Sequence, residues 1–188
     1  MEDRPKTLID EIKEKYSEDE IREQLREFGQ LAQKKREKPR VLYLDDEKDA
    51  LTLFEMSFGR KFDIFTTSDP DEARKIVKDE VLHVILTDQR MPKESGVQFL
   101  ESIIDKHPDP IRILVTAYSD INAVVDAINK GRIYEYIQKP YVMEGMEQTI
   151  WNAAETFFLR RDKEQMMQKL TRANSQLDFM LRQRLLTE

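Results

Sequence analysis

Three short apolar runs, each stopping at a carboxylate or hydroxyl residue, constrain this chain more than any other feature. Val41-Leu42-Tyr43-Leu44 stops at Asp45-Asp46. Val81 to Leu86 stops at Thr87-Asp88, and Ile111-Arg112-Ile113-Leu114-Val115 stops at Thr116. Runs apolar at consecutive positions suit strands covered on both faces, as in parallel sheets. Phe62-Asp63-Ile64-Phe65 reads as a weaker strand, and Ile133-Tyr134-Glu135-Tyr136-Ile137 alternates as an edge strand would. Helical patterns lie between them, over about 48–58, 70–78, 95–105 and 120–130. Five strands alternating with helices predict an open, doubly wound α/β sheet.

The flanks have a different texture, which divides the chain into three. Residues 40–145 hold five of the seven prolines and four of the five glycines, whereas 146–188 has neither. Residues 1–39 read as an N-terminal helical extension. Leu8, Ile9, Ile12 and Tyr16 recur at helical spacing, and Ser17-Glu18-Asp19-Glu20 fits a capping box. Ile21, Leu25, Phe28 and Ala32 stripe a second helix, ended by the linker Lys34 to Pro39. Residues 146–188 read as one long helix beginning near Tyr141, about 65 Å for the 146–188 stretch. Met166, Leu170, Ala173, Leu177 and Met180 step by four and three, the spacing of a coiled-coil seam. Ile150, Ala153 and Phe157 form an earlier stripe in another heptad frame, so a phase shift is expected near 158–165. A long helix polar on most faces needs a partner: another copy of the chain, the N-terminal helices or a further domain, with a homodimer the expected arrangement.

Charged residues make up 36% of the chain, against roughly 25% in an average domain. Net charge is −6, which makes the chain as a whole a poor nucleic-acid binder. The basic residues of the last region, Arg160 to Arg184, spread around the helix and lack a helix-turn-helix pattern. Cysteine is absent, excluding disulfides and thiolate metal sites. No signal-type leader and no stretch of membrane-spanning length are visible, so a cytoplasmic location with no membrane partner is the default expectation.

The chemistry gathers at strand ends. Asp45 and Asp46 follow the first strand, Asp88 the third, Thr116 the fourth and Lys139 the fifth. In open α/β sheets the carboxyl edge is where ligands bind. Carboxylates meeting there repel unless a cation lies among them, and hard oxygen donors favour Mg²⁺. Lys139 supplies a compact positive charge for a phosphate, and Thr116 a hydroxyl donor. A carboxylate can also act as a nucleophile. Taken singly, an Asp pair ahead of a helix more often caps it, and a lone lysine is more often solvated. His83 and His107 read as packing and loop residues, without the helical His-Glu setting of a phosphodonor.

Residues 40–145 resemble the receiver domain of two-component response regulators. The resemblance is carried by Leu44-Asp45-Asp46-Glu47, by Thr87-Asp88-Gln89-Arg90-Met91-Pro92 with Gly96, by Thr116-Ala117-Tyr118 and by Tyr136-Ile137-Gln138-Lys139-Pro140. It implies a flavodoxin-like parallel sheet with strand order 2-1-3-4-5. It implies Asp88 as phosphoacceptor, and Mg²⁺ held by Asp45, Asp46, Asp88 and the backbone carbonyl of Arg90. Thr116 and Lys139 would contact the phosphoryl group, Thr116 and Tyr136 would form the switch, and Lys139-Pro140 would be cis. Arg90 and Tyr118 stand where the family tunes dephosphorylation. The implied partner is a histidine kinase or phosphotransfer protein, and the implied role is that of a phosphoacceptor rather than an enzyme. The alternative is the regulatory front end of a signalling enzyme, such as a cyclase, phosphatase or cyclic-dinucleotide phosphodiesterase, because the helical pattern reaches Leu185-Leu186 without a stop signal.

Overall fold

The computed structural model describes residues 38–117, Val125 and 133–185, the side chains of Ala173 and of 176–185 excepted. The helices expected in 1–36 and across 120–130, and Tyr118, lie outside the described residues apart from Val125.

Five strands form one parallel sheet: β1 (Arg40–Leu44), β2 (Asp63–Thr67), β3 (Val84–Asp88), β4 (Ile111–Thr116) and β5 (Glu135–Gln138). Their order across the sheet is β2-β1-β3-β4-β5, as expected. Between them run α1 (Lys48–Phe58), α2 (Pro70–Asp79) and α3 (Gly96–Ile104), and α4 (Met143–Leu185) follows β5.

Local sequence explains most of the boundaries. Asp69 caps α2 by accepting from the Asp71 amide, and Pro70 opens the helix where a missing N–H costs nothing. Ser95 and Gln98 form a reciprocal capping box at the start of α3. Neither Asp45 nor Asp46 caps α1; Glu47 stands at that position, with no side-chain cap.

Three strands are displaced along the chain from where the apolar runs place them. β3 begins at Val84 rather than Val81, which is exposed, although Leu82 and His83 remain buried. β2 ends at Thr67, two residues past Phe65, and β5 begins at Glu135 rather than Ile133. Burial sets the apolar run, whereas pairing with β1 and β4 sets the strand, and the two need not share ends. The last helix begins at Met143, two residues after Tyr141.

Each face of the sheet carries its own core. On one face Val41, Tyr43, Val84, Leu86, Ile113 and Val115 meet α1 and α4. On the other, Leu42, Leu44, Ile85 and Leu114 meet α2 and α3. Alternate residues of each central strand point to opposite faces, which accounts for runs apolar at nearly every position.

α4 changes character along its length. Met146, Ile150, Ala153, Ala154, Phe157 and Phe158 are buried against the sheet. Burial of each larger apolar side chain among them contributes about 1.5–3 kcal/mol. Beyond this root Leu159, Met166, Met167 and Leu170 are exposed. The root is packed around His83, whose ring lies 4.8 Å from both Phe157 and Phe158, while its Nδ1 accepts from the Arg40 amide at 2.9 Å. His83 is thus a packing residue, as its sequence setting suggested. No helix among the described residues is long and apolar enough to cross a membrane.

Candidate functional site

The carboxyl ends of β1, β3, β4 and β5 converge at one edge of the sheet. Parallel register places Asp88 opposite Val115, and Thr116 opposite Gln138. Backbone bonds extend the sheet past the strand ends: the Gln89 amide donates to Val115 O at 2.9 Å and the Lys139 amide to Thr116 O at 2.8 Å. Sheet continuity therefore delivers Asp88, Thr116 and Lys139 to a common rim. The Lys139–Pro140 peptide bond is cis.

Lys139 is the centre of the arrangement. Its Nζ lies 2.9 Å from Asp45 Oδ2 and 2.6 Å from Asp88 Oδ1. The Asp45 side chain is wholly buried and that of Asp88 is 9% exposed, against 27% for Lys139. The ammonium thus bridges two carboxylates that would otherwise repel each other in a low-dielectric pocket, offsetting one of their two charges. Burial alone pushes Lys139 down, but the hydrogen bonds to Asp88 and Asp45 outweigh it and hold the lysine well above its ordinary value. For Asp88, burial prevails over the bonds from Lys139 and the Arg90 amide, so its carboxyl is raised.

The remaining donors are local. The Arg90 amide donates to Asp88 Oδ2, the oxygen that Lys139 leaves free. The Glu47 amide donates to Asp45 Oδ1 at 3.0 Å. The Tyr43 hydroxyl donates to Asp45 Oδ2. Burial foremost, then the bond to Asp45, pushes the Tyr43 hydroxyl far up, so it remains the donor. Thr116 is buried at the rim, and its hydroxyl donates to Ala117 O at 3.1 Å.

Gly96 stands where the site meets α3. A Cβ there would come within 2.3 Å of Asp88 O and 2.8 Å of Leu114 Cδ1. The Gly96 amide also donates to Gln89 O at 3.1 Å, and Gln89 Oε1 accepts from the Val97 amide. The loop after Asp88 is therefore pinned directly onto the next helix, with no space for a side chain at this position.

Of the residues that sequence reasoning selected, Asp45, Asp88, Thr116 and Lys139 come together at this rim. Asp46 is at the same strand end but exposed, and Arg90 is exposed on the following loop. No group of three or more Asp, Glu, His or Cys side chains arranged to hold a metal ion occurs among the described residues. The rim nevertheless offers the oxygen donors that a hard divalent cation takes, and Asp45 and Asp88 carry two negative charges against the one ammonium between them. Tyr136 is 38% exposed on β5, opposite Leu114 of β4. Met166 and Leu170 are exposed on α4, and the side chains of Ala173, Leu177 and Met180 lie outside the described residues. Sequence reasoning passed over Tyr43, counted only as a strand residue. Its signal was position: it stands two residues before Asp45, on the same side of the strand.

Comparisons with known proteins agree with this geometry. A family model described as the response regulator receiver domain matches residues 41–150. The hydrogenase transcriptional regulatory protein HoxA of Bradyrhizobium diazoefficiens is 32% identical over 124 residues, 66% of this chain and 26% of that protein. HoxA of Cupriavidus necator is 34% identical over 122 residues, 65% of this chain and 25% of that protein. The chain thus spans about a quarter of the length of these curated relatives, which are named as regulators rather than as catalytic enzymes. Among solved structures, a response regulator receiver domain protein from Clostridium thermocellum has a TM-score of 0.60 at 27% identity, covering 64% of this chain and 98% of that one. A structure titled adenylate cyclase from Rhodopirellula baltica has a TM-score of 0.67 at 24% identity, covering 69% of this chain and 97% of that one, a likeness of fold. With more than half of its length matched by the family model and the fold in agreement, the chain belongs to the response regulator receiver domain family.

Proposed function

We propose that this chain is a phosphorylation-switched scaffold whose phosphoacceptor is Asp88. The observation that carries the reading is the Lys139 ammonium seated between Asp45 and Asp88 at the carboxyl edge of the sheet. A histidine kinase or phosphotransfer protein supplies the phosphoryl group. An Asp88 carboxylate oxygen attacks phosphorus, the P–N bond to the donor imidazole breaks, and its electron pair stays on the ring nitrogen. Asp45, Asp46, Asp88 and the Arg90 carbonyl would hold Mg²⁺, which when bound screens charge on the phosphoryl oxygens. Lys139 then turns from the carboxylates to the new phosphoryl oxygens, and the Thr116 hydroxyl donates to another.

The output follows from that exchange. As Thr116 moves toward the phosphoryl group, Tyr136 turns inward from its exposed position and the face beside β5 repacks. The root of α4 is buried on the sheet, so a change there reaches the exposed helix and alters how two copies pair through the seam from Met166 to Met180. Only contacts that differ between the two states can carry this bias. The reading of an enzyme front end rests on a helical pattern without a stop signal and on a likeness of fold, and is set aside in favour of the regulator relatives. The protein acts in the cytoplasm, without membrane or nucleic acid as direct partner.

The test is labelling from a small-molecule phosphodonor with Mg²⁺. The wild type should acquire an acid-stable, base-labile phosphoryl group and Asp88→Asn should not. Equal labelling of the variant would refute the assignment.

A further inference from the structure

The proposed phosphotransfer gives no role to the bond between Tyr43 and Asp45. Tyr43 is fully buried on the α1 and α4 side of β1, its ring 4.6 Å from that of Phe54. Its hydroxyl reaches past the strand end to Asp45 Oδ2, the oxygen that also takes Lys139 Nζ. With the Glu47 amide on Oδ1, the wholly buried Asp45 carboxylate is held by three donors. One of the three sits on a side chain that the switch requires to leave. Once Lys139 turns to the phosphoryl oxygens, the Tyr43 hydroxyl and the Glu47 amide are the donors left on Asp45 among the described residues, beside the metal it would hold. A buried carboxylate deprived of donors is costly and free to reorient.

We propose that Tyr43 is a positioning residue whose hydroxyl holds Asp45 in the orientation that metal binding needs. The proposal rests on Asp45, Asp46 and Asp88 holding Mg²⁺ as described above. A buried tyrosine that merely satisfies its own hydroxyl is the competing account. The two differ in one respect: the competing role lowers stability and leaves the affinity for Mg²⁺ untouched.

The experiment is a Mg²⁺ titration of the full chain by calorimetry, paralleled by the metal-dependent rise in melting temperature. In Tyr43→Phe the Mg²⁺ dissociation constant should rise about three- to tenfold, the scale of one net hydrogen bond. In an Asp45→Ala background the same change should add no further loss, because Tyr43 acts through Asp45. An unchanged constant in folded Tyr43→Phe, or an equal added loss without Asp45, overturns the proposal while leaving the metal site standing. A wild-type chain with no Mg²⁺ response removes the metal site itself, and the proposal with it. Should Tyr43→Phe not fold, Tyr43→Ile takes its place, a β-branched residue suited to a covered strand and equally without the hydroxyl. Failure of both to fold assigns the hydroxyl to the core and likewise overturns the proposal.

Discussion

Replacing Lys139 by Met tests the electrostatics of the rim most directly. The methionine keeps the length and loses the charge, leaving Asp45 and Asp88 facing each other without a cation. Breaking a buried ion pair by removing one partner costs about 3–5 kcal/mol. The Lys139 side chain is 27% exposed, so water partly screens the pair. The expected loss is therefore smaller, about 2–3 kcal/mol. With a urea slope near 2 kcal/mol/M, the unfolding midpoint should fall by roughly 1–1.5 M at neutral pH without metal. Saturating Mg²⁺ should recover most of that loss, since a divalent ion can take over the neutralising role. The pair raises the lysine, so its contribution is fully present below its unfolded value of about 10.4 and is lost only as pH climbs through the still higher folded value. The wild-type advantage over the variant should thus be level from neutrality to mild alkalinity. A midpoint moved by less than about 0.3 M, or a deficit that Mg²⁺ leaves untouched, would refute the argument.

Three further outcomes follow from the geometry. Gly96→Ala forces a methyl group into the Asp88 carbonyl; the expected cost is about 1–3 kcal/mol, read as a melting temperature lower by several degrees. Phe157→Ala should cost about 3 kcal/mol by denaturant unfolding, because the ring is part of the core around His83; a change under 1 kcal/mol would mean that the root of α4 is not anchored there. Deleting residues 160–188 should leave the folded domain and lower its self-association, and a light-scattering mass unaffected by the deletion would contradict pairing through the helix.

Much of the site was legible because it lies at strand ends. Apolar runs announce strands, parallel strands share a carboxyl edge, and a polar residue just past each run must lie on that edge. Asp45, Asp88, Thr116 and Lys139 follow from the sequence on these grounds. Sequence does not set the register. Val81 looks like the start of a strand, yet the strand starts at Val84, because pairing depends on where Val41 and Ile111 stand. Nor does it separate Asp45 from its neighbour Asp46, identical in type, of which one is wholly buried and the other exposed.

The sequence by itself determined the alternation of strand and helix, the residues that gather at the rim, and a long helix through the stretch from 146 that lacks proline and glycine, since these depend on composition and period alone. Only the tertiary structure decided that the ammonium of Lys139 bridges two particular oxygens, that the Tyr43 hydroxyl reaches one of them, and that α4 is rooted on His83 through Phe157 and Phe158. These contacts join residues far apart in the chain or turn on which face a side chain takes. Such distances and directions are set by the packing of the whole sheet, and no local pattern encodes them.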